Sequence, residues 1–198
     1  MFEGVGLFCS ELADRLPVVF LGYVFGYAAA GQYAIALLIV VRPVGIFVRS
    51  ISVVLRTFVG EQWKTDAQKS EILPLKVLFL IWLVSFLVLV TIALVAPLVF
   101  PIIFGEKWAV GGLIVAALAP RVLIVMMIRP VLGSLSAIQK VRPVLFSQVG
   151  MLACTLLPLY VGPYLLDFDL LHTVIFMSCS VLFFGSFILV YAVRKVYI

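Results

Sequence analysis

Long apolar runs separated by short polar connections dominate this chain. A helix needs roughly 20 mostly apolar residues to cross the ~30 Å hydrocarbon core of a bilayer. Six segments reach about that length: residues 5–25, 32–58, 77–104, 108–139, 143–166 and 170–193. The first is polar on its early turns, and the third, fifth and sixth carry no internal charge. The pattern predicts an all-α, polytopic membrane bundle of about six transmembrane helices, a single unit over residues 1–198. Pro97 and Pro101 are expected to end or kink the third helix, and Pro120 and Pro130 to break the fourth. The one soluble-looking stretch is GEQWKTDAQKSE at residues 60–71, expected as a short amphipathic helix at the membrane face. There is no low-complexity tract and no internal repeat.

Composition strengthens this picture. Hydrophobic residues make up 65% of the chain and charged residues 12%, too little polar surface for a domain dissolved in water. The net charge of +5 would suggest nucleic acid in a soluble protein. In a membrane protein, loop Lys and Arg report topology instead, so no nucleic-acid partner is expected. The connection after the second helix holds Lys64, Lys69 and Lys76, with Arg56 at its edge. Lys140 and Arg142 lie between the fourth and fifth helices, and Arg194 and Lys195 close the chain. The alternate connections are poor in base. Basic residues therefore collect on one side, which the positive-inside rule assigns to the cytoplasm, together with both termini. The first residues lack a basic leader and carry Glu3, Glu11, Asp14 and Arg15, unlike a secretory signal.

Charge inside the spans is the chemically informative feature. An arginine at the centre of a membrane helix costs about 2.5–3.5 kcal/mol on insertion scales. Arg42, Arg49 and Arg56 recur every seven residues on the second helix, with Gly45 and Ser52 between them, so they share a face over roughly 21 Å. Arg121 and Arg129 lie on the fourth helix and Arg15 on the first. Glu11 and Asp14 are the clear acids in the spans, too few to answer these cations. The surplus predicts a water-filled cationic cavity that accepts an anion, best a phosphate or diphosphate, because the guanidinium fork matches phosphate oxygens. Arg42, Arg49 and Arg121 are its expected core, with Arg129 and Arg15 as further members. Alternatives stand beside this. Arg56 and Arg129 sit where a long side chain snorkels to the interface. Arg15 lies one turn from Glu11 and is placed to pair with it. Glu11 and Asp14 either bind protons or cations, or are structural partners of Arg15.

Other chemistry is thin. Cys9, Cys154 and Cys179 match no disulfide or metal spacing and read as small core residues. His172 beside Asp167 and Asp169 has too few neighbouring ligands for a metal site. No nucleophile–base constellation is present, so an enzyme acting on lipid phosphates is disfavoured and neither cofactor nor metal is expected.

Two motifs carry a resemblance. Ala13-Asp14-Arg15-Leu16, followed by LGYVFGYAAAGQYAIA at residues 21–36, is similar to a helix–turn–helix of polysaccharide flippases, and Pro43 takes the place of a helix proline there. LVFPIIFGEKW at residues 98–108 is similar to the segment ending the third helix of their second half. The chain thus resembles the oligosaccharide/polysaccharide flippase branch of the multidrug/oligosaccharidyl-lipid/polysaccharide exporter superfamily, specifically its second, C-terminal lobe. The resemblance implies one lobe of a two-lobe transporter working by alternating access around a central cationic cavity. It implies a lipid-diphosphate-linked saccharide as substrate, the bacterial inner membrane as location, membrane lipid as surroundings, and a second transmembrane lobe as partner. Gly22, Gly26 and Gly31 would allow close lobe contact, or serve as ordinary turn and packing glycines. Drug or cation antiport within the superfamily would call for an acidic cavity, and a non-transporting assembly subunit for no cavity.

Overall fold

The computed structural model describes residues 2–65, 75–137 and 141–197. Its six long helices are α1 (Phe2–Phe25), α2 (Tyr27–Thr65), α3 (Leu75–Phe104), α4 (Ala109–Ala137), α5 (Val141–Leu165) and α6 (Leu170–Tyr197). A single 3-10 turn, Glu106–Trp108, joins α3 to α4. No strand occurs among the described residues. Five of the six helices are long and apolar enough to cross a membrane. The sixth, α1, carries Glu11, Asp14 and Arg15 within its apolar length.

The boundaries differ from expectation in an instructive way. No loop separates α1 from α2: Gly26 alone makes the turn, at φ 89°. That left-handed conformation suits glycine, and the alanines at positions 28–30 are strong helix formers that start α2 at once. Ala30 N–H closes the turn onto the Gly26 carbonyl at 3.2 Å. At its other end α2 runs on through Thr65 into the stretch expected to be a separate amphipathic helix, and residues 66–74 lie outside the described set. The prolines do not break their helices. Pro97 and Pro101 sit inside α3, and Pro120 and Pro130 inside α4. Membrane helices tolerate proline where neighbouring groups answer the freed backbone.

α4 is the central element, packed against α2, α3 and α6, while α5 joins α1 to α6. Tyr33, Ala36, Val40, Val44 and Val48 form one buried seam of α2, three residues apart at its start and four thereafter. They pack with Ile114, Val115, Leu118 and Val122 of α4 in the main core. Where α3 crosses α4 the backbones nearly touch: a Cβ on Gly112 would lie 2.7 Å from the Ala96 carbonyl oxygen. Outward positions are apolar too, with Ile102 and Phe183 more than four-fifths exposed, as a lipid-facing surface requires. Gln32 of α2 donates to the Lys107 carbonyl at 2.9 Å, and Phe20 of α1 meets Tyr164 of α5 edge to face. These contacts gather the α1–α2, α3–α4 and α5–α6 junctions at one end of the bundle. Tyr23, Tyr27, Trp108, Tyr160 and Tyr164 are set there like an interfacial aromatic belt.

Candidate functional site

Arg121, in the middle of α4, is buried at 6% exposure, and three acceptors surround its guanidinium. Its Nη2 donates to Asp14 Oδ1 at 2.9 Å and to the Ala13 carbonyl at 3.0 Å, both on α1. Its Nη1 donates to the Tyr33 hydroxyl of α2 at 3.3 Å. The Ala13 carbonyl is available for a reason written in the sequence. In a helix it would accept from the N–H four residues on, and that residue is Pro17, which has none. Arg121 thus answers an acceptor that proline leaves free inside a membrane helix.

Eight residues further along α4, Arg129 is exposed, and its Nη2 lies 3.4 Å from the Ser10 hydroxyl, a long hydrogen bond. Ser10 and Asp14 are one turn apart on α1 and so share a face. Both arginines line a cleft between α1, α4 and α5, together with Gln148 and Thr155 of α5 and Val181 of α6. Arg129 marks its exposed rim and Arg121 its buried depth. The cleft has a volume of about 70 Å³ and is open on one side. Gln148 Oε1 is buried there with no hydrogen-bond partner among the described residues.

The α2 arginines lie elsewhere. With 3.6 residues per turn, Arg42 and Arg49 point about 140–160° away from Val44, which faces α4. Both are exposed, flanked by exposed Leu38, Ile46, Phe47 and Val53, and neither has an ion-pair or hydrogen-bond partner among the described residues. Arg42 falls near the middle of the apolar stretch Tyr27–Val54 and Arg49 towards its Val54 end. Ser52, expected on the same stripe, instead turns towards α4: its Cβ is 3.8 Å from where a Cβ on Gly133 would stand, and its hydroxyl returns to the Val48 carbonyl. The side chain of Arg56 lies outside the described set. Arg15 is on the surface of α1, its Nε 3.2 Å from Glu11 Oε2, with both side chains more than two-thirds exposed.

The expected single cavity of Arg42, Arg49, Arg121, Arg129 and Arg15 is therefore divided among three places. Arg121 and Arg129 share the α1–α4 cleft, Arg42 and Arg49 occupy the far face of α2, and Arg15 stands apart on α1. Arg121, expected to lack an acid, has one in Asp14, which pairs with it rather than with Arg15. The cause is rotation about α1: Asp14 faces inward and its neighbour Arg15, about 100° around the helix, faces out. The sequence reading missed Tyr33, Ser10, Gln148 and the Ala13 carbonyl. Pro17, three residues after Asp14, was the available signal for the last. Gly26 forms the turn, Gly22 would place a Cβ 3.1 Å from that of Ala30, and Gly31 faces open space.

Among the described residues no group of His, Cys, Asp and Glu is placed to hold a metal ion. No curated protein and no solved structure matches the chain. A family model described as polysaccharide biosynthesis protein matches residues 5–111, from α1 to the start of α4 and more than half of the chain. That stretch holds Asp14, Tyr33, Arg42 and Arg49, and the chain belongs to the polysaccharide biosynthesis protein family.

Proposed function

We propose that the protein moves a lipid-diphosphate-linked saccharide across the bacterial inner membrane for assembly of lipopolysaccharide or exopolysaccharide, acting as a flippase lobe and not as an enzyme. The observation that carries this reading is the pair Arg42 and Arg49, exposed at membrane depth without a carboxylate partner among the described residues. At the middle of the stretch, Arg42 facing acyl chains would cost about 2.5–3.5 kcal/mol on insertion scales, and Arg49, nearer the end, would add less. Water, an anionic headgroup and a second transmembrane lobe closing over this face of α2 would remove most of that cost. The diphosphate would draw charge-assisted hydrogen bonds from the two guanidiniums. The saccharide would pass in the hydrated space between lobes, and the lipid tail would stay in the bilayer. Rocking of the lobes would then expose the site on either side, with both termini of this chain remaining cytoplasmic. A net-positive face repels cations, which disfavours drug or cation antiport.

The test is surface-polysaccharide export by cells carrying the Arg42→Ala/Arg49→Ala double variant, with membrane insertion measured in parallel. A loss of tenfold or more is expected, the kinetic equivalent of about 1.4 kcal/mol, with normal insertion. The exposed Ile102→Ala variant serves as the reference for a lipid-facing change. Undiminished export by a normally inserted double variant would overturn the reading.

A further inference from the structure

α1 and α4 scarcely pack against one another: α1 lies on α2 and α5, and α4 on α2, α3 and α6. What joins them across the cleft is polar, Arg121 reaching Asp14 and Ala13, and Arg129 reaching Ser10. The Asp14–Arg121 pair is also lopsided. The arginine side chain is 8% exposed and the aspartate 38%. A fully buried pair cannot part without stranding a charge, whereas here the acid already reaches the open side of the cleft.

We propose that Asp14 is an internal competitor for the anionic ligand, its carboxylate holding Arg121 in the empty cleft and giving way to a phosphate-bearing headgroup that arrives past Arg129. This rests on the reading of the substrate as a diphosphate-linked lipid, and it adds the α1–α4 cleft as a second station for the headgroup. Carboxylate and phosphate engage the same guanidinium fork, so each excludes the other. Arg121 keeps its place when Asp14 leaves, because the Ala13 carbonyl and the Tyr33 hydroxyl are neutral acceptors that stay behind. The charges lining the cleft are Asp14, Arg121 and Arg129, a net +1 that becomes +2 once Asp14 withdraws. α5 and α6 add no charge to its lining, and the exposed Glu11–Arg15 pair lies outside it. Arg129, with a single long hydrogen bond to Ser10, is the cation an incoming anion meets first.

The experiment measures binding of inorganic pyrophosphate, and separately of a short-chain polyprenyl diphosphate, to the full chain in lipid nanodiscs. Asp14→Asn is expected to bind both probes about tenfold more tightly than the wild type. The neutral double variant Asp14→Asn/Arg121→Gln, which leaves no charge stranded and guards against misfolding of the single one, is expected to bind more weakly than the wild type. A merely structural ion pair predicts no tighter binding for the first variant and no change for the second, and either result overturns the competition. A gain confined to the polyprenyl probe would also overturn it, since both probes present the same diphosphate. If the wild type binds pyrophosphate and Asp14→Asn binds no tighter, the competition fails while the transport reading stands. If no form binds either probe, the competition fails and the transport reading is left to the export assay.

Discussion

The arginines of α2 and those of α4 sit on adjacent helices at comparable depth, yet their surroundings are opposed. Arg121 is enclosed by a carboxylate, a proline-freed carbonyl and a phenol from two neighbouring helices. Arg42 and Arg49 stand on the outer face of α2 among exposed aliphatic and aromatic side chains, with no acceptor among the described residues. The same residue type thus does two kinds of work. A guanidinium whose donors are met by the fold ties helices together. One whose donors are unmet holds that capacity for a partner outside the fold. Arg129 lies between these extremes, held by one weak contact at the rim of a cleft.

The comparison breaks if removing the two kinds of arginine has the same effect. Arg121→Ala leaves Asp14 without its cation and the Ala13 carbonyl without its donor. A wholly buried pair broken in this way costs about 3–5 kcal/mol. Because Asp14 reaches water, a smaller loss of roughly 2–3 kcal/mol is expected here. Arg49→Ala removes a cation that nothing in the fold answers, so its stability should be unchanged or slightly raised. Reversible unfolding of both variants in the same micelles checks this. Equal destabilisation would show that Arg49 is also a structural residue and would remove it from the ligand-facing set.

A second contrast separates the close packing of α4 from the open surface of α2. A Cβ on Gly112 would meet the Ala96 carbonyl oxygen at 2.7 Å and Pro97 Cα at 2.8 Å, both backbone atoms of α3 that a side-chain rotation cannot move away. Gly112→Ala is therefore expected to cost about 1–3 kcal/mol through overpacking. Gly31→Ala, at a position on α2 with open space around it, should gain up to about 1 kcal/mol from helix propensity. The same unfolding measurement decides both. A neutral Gly112→Ala would mean that α3 shifts easily on α4 at this crossing.

Much of the fold was legible because bilayer thickness sets helix length, and the apolar runs report it directly. The ends of the helices were less so. Residues 26–31 fall between the two expected spans, yet Gly26 at positive φ suffices for the turn and the alanines propagate helix. The prolines of α3 and α4 suggested breaks that tertiary neighbours make unnecessary. For the site, seven-residue spacing correctly places Arg42 and Arg49 on one face, since that follows from helical pitch alone. Which way the face points does not follow from pitch. α2 has apolar residues all round, so nothing local distinguishes the side that meets α4 from the side that meets lipid or a second lobe. The Asp14–Arg121 pairing joins residues 107 positions apart and depends on how α1 is rotated against the bundle. Only Pro17 hinted at it, by freeing the carbonyl that Arg121 also takes.

The finest division falls within the Arg121 cluster itself. Tyr33 is fully buried, and its hydroxyl meets Arg121 at 3.3 Å, the longest of that residue's three bonds. Tyr33→Phe removes this bond while keeping the ring that packs in the α2–α4 seam. Hydrogen bonds between membrane helices average about 0.6 kcal/mol and reach at most about 1.7. A loss near the lower figure is expected, well below that of Arg121→Ala. In an Asp14→Asn background, where the guanidinium has lost its charged acceptor, the phenol should matter more, and the double variant should lose more than the two single losses combined. Strict additivity would mean that Tyr33 and Asp14 do not share Arg121 in the folded protein, and the cluster would then reduce to a simple ion pair.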